Sequence, residues 1–119
     1  MPYFTDRTWD TSTTTGTGAY TLSGSAPAGY QTFASALGSN TVGNVPYKAD
    51  DGTNWEVGMG TFNGTTGLTR DRILASSNSG AAVNWVGNTI NIWIDIPANA
   101  ARTGSIGRAA ANAWAQGWN

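Results

Sequence analysis

Polar and apolar residues alternate along much of the chain, and short turns rich in glycine, asparagine or proline separate the alternating segments. The clearest case is the run TINIWIDI, in which Ile90, Ile92, Ile94 and Ile96 fall on one side of an extended chain. A strict period of two over a β-branched run predicts a strand with one face in the core. Pro97 follows directly and predicts the end of that strand.

The segment TNWEVGMGTF also has a period of two, and it follows an Asp-Gly pair at residues 51–52 that is typical of a hairpin turn. We expect Trp55, Val57 and Met59 to form its apolar, core-facing side. Glu56 would then lie on the polar side of the strand.

Further strands are predicted at residues 7–13, 19–23, 45–50 and 68–75. Residues 30–37 fit a strand or one helical turn, and we favour the strand because its neighbours are strands. Pro46 lacks an N–H group and should mark an edge or a bulge. Turn signals every 8–12 residues predict an all-β fold, a jelly roll or β-sandwich of about seven or eight short antiparallel strands.

The pattern changes at the C-terminal end. Residues 1–99 are predicted to form the β-sandwich domain, and residues 100–119 a docking arm or short helix. The apolar residues of the arm are mostly small alanines beside two tryptophans, so it cannot bury itself and should dock on another surface. Its charge of +2 fits either a solvated terminus or an acidic partner surface. The residues expected to make that contact are Arg102, Arg108, Trp114 and Trp118.

Composition excludes several classes of function. The chain of 119 residues has no histidine or cysteine, so Ser-His and thiol catalysis are excluded and zinc binding is not expected. A net charge of −1 argues against nucleic acid, and no apolar run approaches the length of a membrane helix. The N-terminal segment lacks the features of a signal peptide, so we expect a soluble protein without a standard export signal.

Carboxylates are the remaining candidates for catalysis. Glu56, Asp71 and Asp95 lie on predicted strands, and a glycosidase needs two carboxyl groups facing each other across a cleft. Any β domain with seven acidic residues offers some such pair, so we predict a protein that is not an enzyme and needs no cofactor.

The motif DDGTN offers Asp50, Asp51 and Asn54, which carry the oxygen atoms that calcium prefers. The simpler interpretation is a hairpin turn capped by Asp50, because the spacing of an EF-hand loop is missing. We therefore predict no metal site.

Arg70 and Arg72 flank Asp71 on a predicted strand and would share one face. They could form an ordinary solvated face, pair with Glu56 or Asp95 across the sheet, or form ion pairs between subunits. Six tryptophans exceed what a small core needs, and aromatic residues are enriched at interfaces. The residues predicted to lie at subunit contacts are Arg70, Arg72, Trp93 and Glu56; an internal second layer or a sugar platform are the alternatives for Trp93.

Roughly residues 7–98 resemble a small β-rich module of bacteriophage virion proteins of the tail-fibre or structural type. The resemblance is carried by the Thr-rich start TSTTTGTG, the motif DGTNWEVGMGTF, the loop LASSNSG with the following VNW, and the last strand INIWIDIPA. The resemblance implies a protein that is not an enzyme and assembles as a symmetric oligomer. The alanine-rich C-terminal segment departs from the pattern.

Together these features predict a capsid cement or decoration protein, a homo-oligomer (most simply a trimer) that binds the major capsid protein. It would be located in the virion and assembled in the host cytoplasm, with no nucleic-acid or membrane partner. The alternative is a tail-fibre knob that binds a host glycan through exposed residues such as Trp85 or Trp93.

Overall fold

The structure is a computed structural model that describes residues 5–95, which form nine short strands and one short helix. The strands are β1 (Trp9–Ser12), β2 (Thr15–Gly16), β3 (Tyr20–Thr21), β4 (Val42–Asp50), β5 (Trp55–Phe62), β6 (Gly67–Leu68), β7 (Arg72–Ser76), β8 (Trp85–Val86) and β9 (Ile90–Ile94), and the helix α1 is Phe33–Leu37. The prediction of an all-β fold is confirmed.

Seven of the strands form one antiparallel sheet in the order β1-β9-β4-β5-β6-β3, with β7 also paired to β5. The sheet curves back on itself, because a bridge between Ser12 and Leu22 links β1 to the chain just after β3. The Ser23 N–H also donates to the Thr11 carbonyl at 2.7 Å. The two remaining strands, β2 and β8, pair with each other in a small second sheet.

The core fills the inside of this curved sheet. Ile90, Ile92 and Ile94 are buried as their spacing predicted. Ile96 and Pro97 lie outside the described residues. The core also contains four fully buried aromatic rings, of which Tyr20, Tyr47 and Phe62 come from the sheet and Phe33 comes from α1.

The strand favoured over residues 30–37 is wrong, because residues 33–37 form the helix α1. Thr32 caps it by accepting the Ser35 N–H at 3.1 Å, and Gly38 ends it with φ of +86°. Phe33 and Leu37 are four residues apart and both face the core, so helical spacing buries them together. No helix in the described part of the chain is long and apolar enough to cross a membrane.

The predicted strand over residues 68–75 is divided. Residues 67–68 pair with the end of β5, and residues 72–76 pair with its beginning, so that Arg70 lies between the two strands. The expectation that Arg70 and Arg72 share one strand face is therefore wrong.

The sequence also predicts a hairpin turn at residues 51–52 and a strand edge or bulge at Pro46. Residues 51–54 connect β4 to β5, a longer loop than the two-residue turn expected, with Gly52 at φ of +94°. Pro46 lies within β4, but β9 pairs only from Tyr47 onward and the register of β4 shifts between Val42 and Val45. Beyond the last strand pair the Pro46 carbonyl still accepts the Asp95 N–H at 3.3 Å, so the missing N–H of the proline falls at the very end of the pairing with β9.

Candidate functional site

The two faces of β5 are the reverse of those predicted. Glu56 is 0% exposed, whereas Trp55 is 42% exposed. The inner face of the strand consists of Glu56, Gly58, Gly60 and Phe62, and its glycines leave room for large rings. A Cβ atom on Gly58 would lie 2.8 Å from the hydroxyl of Tyr47. Glu56 can occupy this face because a complete set of donors surrounds it.

The carboxylate of Glu56 accepts hydrogen bonds from four residues. The hydroxyls of Tyr20 and Tyr47 each donate to Oε2 at 2.6 Å, and Nε of Arg70 donates to the same oxygen at 2.7 Å. The other oxygen, Oε1, accepts from the Val83 N–H at 3.0 Å and from Nη2 of Arg70. Arg70 therefore holds the carboxylate in a two-pronged ion pair.

The guanidinium of Arg70 is buried as well, with 3% of its side chain exposed. Its Nη2 atom also donates to the Val83 carbonyl at 2.8 Å, and Nη1 donates to the Gly16 and Gly18 carbonyls at 3.3 and 3.4 Å. These carbonyls lie in or beside the small β2–β8 sheet. The ion pair thus fastens that sheet to β5.

Burial and hydrogen bonding shift the pKa of Glu56 in opposite directions. Burial is the largest single effect and would raise its pKa, but the hydrogen bonds from Arg70, Tyr20, Tyr47 and the Val83 N–H together lower it below the usual value. Burial raises the pKa of Tyr20 and of Tyr47 far above their usual range, and the nearby carboxylate adds to this. The site therefore holds an ionised carboxylate beside neutral phenols.

This arrangement encloses Glu56 completely. Glu56 has no exposed surface, and both of its oxygens accept hydrogen bonds from within the chain. The two carboxylates considered as its catalytic partners, Asp71 and Asp95, have other neighbours. Asp71 is exposed and accepts from the Thr61 and Thr69 hydroxyls, each at 2.6 Å, and Asp95 lies 3.7 Å from Lys48.

The four residues predicted to lie at subunit contacts fall into an internal pair and an outer pair. Glu56 and Arg70 pair with each other inside one chain, which confirms the alternative of an ion pair within the sheet and corrects their placement at a subunit contact, because neither side chain is exposed. Arg72 is exposed at the start of β7, and Trp93 is half-buried on the outer face of β9. For these two residues the subunit contact stays a prediction. Trp85 is 2% exposed, so the expectation that it is available to a glycan is wrong.

The outer face of the sheet carries a continuous row of rings and cations, here called the aromatic ladder: Arg7, Tyr30, Trp9, Trp93 and Lys48. The Arg7 guanidinium lies 4.3 Å from the centre of the Tyr30 ring, which meets Trp9 edge-on at 4.8 Å. Trp9 packs against Trp93 at 5.3 Å, and the Lys48 ammonium lies 4.6 Å from the centre of the Trp93 ring. Sheet register explains part of the row, because Trp9 pairs with Trp93 and Trp93 with Lys48.

The turn residues considered for calcium bind their own backbone. Oδ1 of Asp50 accepts the Gly52 N–H at 2.6 Å, and Oδ1 of Asp51 accepts the Thr53 and Asn54 N–H groups at 2.9 and 2.8 Å. The Asn54 bond is the main cause that lowers the pKa of Asp51. Within residues 5–95, no group of three or more acidic side chains is placed to hold a metal ion.

Sequence reasoning missed Tyr20, Tyr47 and Trp85 as the surroundings of Glu56. Trp85 donates its indole N–H to the Tyr20 hydroxyl at 3.2 Å and completes the network. The sequence did carry a signal, because a strand face made of one glutamate, two glycines and Phe62 is not the polar face of a solvated strand. The residues predicted to contact the capsid lie outside the described residues: Arg102, Arg108, Trp114 and Trp118.

Comparison with known protein families, with curated proteins and with solved structures finds no match to this chain.

Proposed function

We propose that this protein is a non-enzymatic structural component of a bacteriophage particle, of the capsid cement type. The aromatic ladder on the outer face of β1, β9 and β4 carries the proposal. Trp, Tyr and Arg are the residue types that dominate the energetics of protein interfaces, and this face presents all three side by side. The motifs that resemble virion proteins are the reason for assigning it to a bacteriophage particle.

The internal ion pair supports the same proposal. A cement protein has to be a rigid body, because its contacts act together only if they keep a fixed geometry. The Glu56–Arg70 pair ties β5 to the small β2–β8 sheet through the Val83 and Gly16 backbone. The role of the Glu56 carboxylate in this proposal is therefore to stabilise the fold.

In this proposal the protein acts as an oligomer, most simply a trimer, on the surface formed by the major capsid protein. Each copy contributes modest contacts, and avidity makes the sum far stronger than any single contact. The contacts come from the aromatic ladder and from residues 100–119. In this arrangement Trp93 belongs to the capsid contact, and Arg72, which is exposed outside the ladder, is left as the candidate for a contact between subunits.

The test uses heads purified without the protein and the full-length chain added back. Removing residues 101–119 should leave a folded protein that no longer sediments with heads, and Trp93→Ala should reduce binding by about tenfold or more. Val86→Ser is the matched control, because Val86 is 70% exposed on β8 and is not part of the ladder. Full binding by both the truncated chain and Trp93→Ala would contradict the proposal.

A tail-fibre knob that binds a host glycan is the second candidate. It is favoured by the groove between Tyr30 and Trp93, since exposed rings can stack on sugar rings. Glycan-array binding by the isolated protein, lost in Trp93→Ala, would favour this function over cement.

A further inference from the structure

Arg7 is held in an unusual backbone conformation at one end of the aromatic ladder. Its φ is +50°, and it is one of three non-glycine residues with positive φ among residues 5–95. Such conformations are unfavourable and persist only where the surroundings enforce them. Here the Gln31 N–H donates to the Arg7 carbonyl at 2.8 Å, which holds the backbone in place.

The side chain of Arg7 is fixed as well. Nε donates to the Gly29 carbonyl at 2.7 Å, and the guanidinium plane lies over the Tyr30 ring. Within the described part of the chain, its two terminal nitrogens have no hydrogen-bond partner. A guanidinium that is already oriented and keeps these N–H groups available suits a carboxylate, which it can bind with two parallel hydrogen bonds.

This guanidinium borders a groove of about 290 Å³. Trp93 and Tyr30 supply aromatic surface in the groove, and Lys48 and Asp95 lie along it within 3.7 Å of each other. The charged residues of the lining are two cations and one carboxylate, so the groove is positive although the chain has a net charge of −1. Its charge and its rings fit a ligand with a carboxylate next to apolar surface.

We propose that this groove binds an Asp or Glu side chain of a partner protein, with Arg7 holding the carboxylate and an adjacent apolar side chain of the partner lying on Trp93. The proposal rests on the proposed function, since it names the chemistry of the partner surface that the aromatic ladder contacts.

The sheet around the groove favours a protein over a free acidic sugar. The row of paired positions continues from Trp93 and Lys48 to Val57 and Ala75, so the apolar surface extends across five strands. A single sugar would cover only part of that surface, whereas a protein face covers all of it.

A second copy related by a two-fold axis fits less well. An isologous contact with its axis through the groove would bring Arg7 and Lys48 of one copy close to the same cations of the other. Like charges in contact oppose association, so the complementary surface is one that carries acidic side chains.

The test is an NMR titration of the full-length chain with two capped peptides, acetyl-Leu-Glu-Leu-amide and acetyl-Leu-Gln-Leu-amide. We expect the Glu peptide to bind about fivefold more tightly, with shifts in the indole N–H signals of Trp9 and Trp93. Arg7→Gln should abolish the preference, and Arg7→Lys should retain only part of it. Thr17→Glu changes the net charge by the same amount at an exposed position outside the groove, and it should keep the preference.

Equal binding of the two peptides, or a preference that survives in Arg7→Gln, would overturn the proposal. Tighter binding of glucuronate than of the Glu peptide would assign the groove to an acidic sugar instead. A change in oligomeric state caused by Arg7→Gln would assign it to a second copy. Because none of these measurements uses heads, a failure of the groove is distinguishable from a failure of the cement function.

Discussion

At the scale of single residues, the stability of this protein depends on a buried charge that is fully compensated. Glu56 and Arg70 lie 14 positions apart in the sequence and become partners only through the path of the chain between β6 and β7. A buried ion pair contributes little by itself, but removing one partner leaves an uncompensated charge in the core. The tyrosine hydroxyls make the cost larger, because they would lose their acceptor.

We predict that Glu56→Gln lowers the free energy of unfolding by about 3–5 kcal/mol, since Arg70 then remains buried without a counter-charge. Urea denaturation followed by tryptophan fluorescence measures the change. Asp71→Asn is the matched control, because Asp71 is an exposed acidic residue bound by two threonine hydroxyls, and its loss should be much smaller. Equal losses in the two variants would show that the internal ion pair has no special weight.

At the scale of elements, small residues decide how closely the strands can approach. Gly58 and Gly60 on the inner face of β5 leave room for Tyr47 and for the chain between β6 and β7. The sequence predicts the alternation in β5 correctly, but it places Trp55, Val57 and Met59 on the inner face, and the structure places them on the outer face. A period of two identifies the two faces of a strand but does not show which face is turned to the core. Here hydrogen-bond donors from other parts of the chain stabilise the face that carries Glu56 inside the core.

We predict that Gly60→Ala disrupts the contact between β5 and the segment that connects β6 to β7. An added Cβ would lie 2.1 Å from the Thr69 carbonyl oxygen, which belongs to the backbone and cannot rotate away. Overpacking of this kind costs about 1–3 kcal/mol or more and should lower Tm by roughly 10 °C. Gly18→Ala is the control, because nothing lies within 4 Å of its added Cβ, and its Tm should stay close to that of the native chain.

At the scale of the whole molecule, the buried network predicts how stability depends on pH. The pKa of Glu56 is lowered in the folded state, so its contribution is present above its ordinary value of 4.5 and is lost as the pH falls further. The pKa values of Tyr20 and Tyr47 are raised, so their contribution is present below 10.0 and is lost as the pH rises above it.

The chain has no histidine, so no histidine titrates between these limits. We predict a nearly flat urea midpoint from about pH 5 to pH 9, with a fall on each side. Tyr47→Phe should weaken the alkaline fall, because one of the two buried phenols is gone, while the acid fall remains. A midpoint that changes steeply near neutral pH would contradict this account.

The sequence by itself determined that the protein is all-β, that residues 90–94 form a core strand and that a turn lies at the Asp-Gly pair, because alternation and turn chemistry are local properties. Only the tertiary structure decided the remaining features. It turned β5 so that Glu56 faces inward, made a helix of residues 33–37 and brought Arg7, Tyr30, Trp9, Trp93 and Lys48 into one ladder. Each of these outcomes depends on partners that are distant in sequence, and a local pattern carries no information about which partners the fold will bring together.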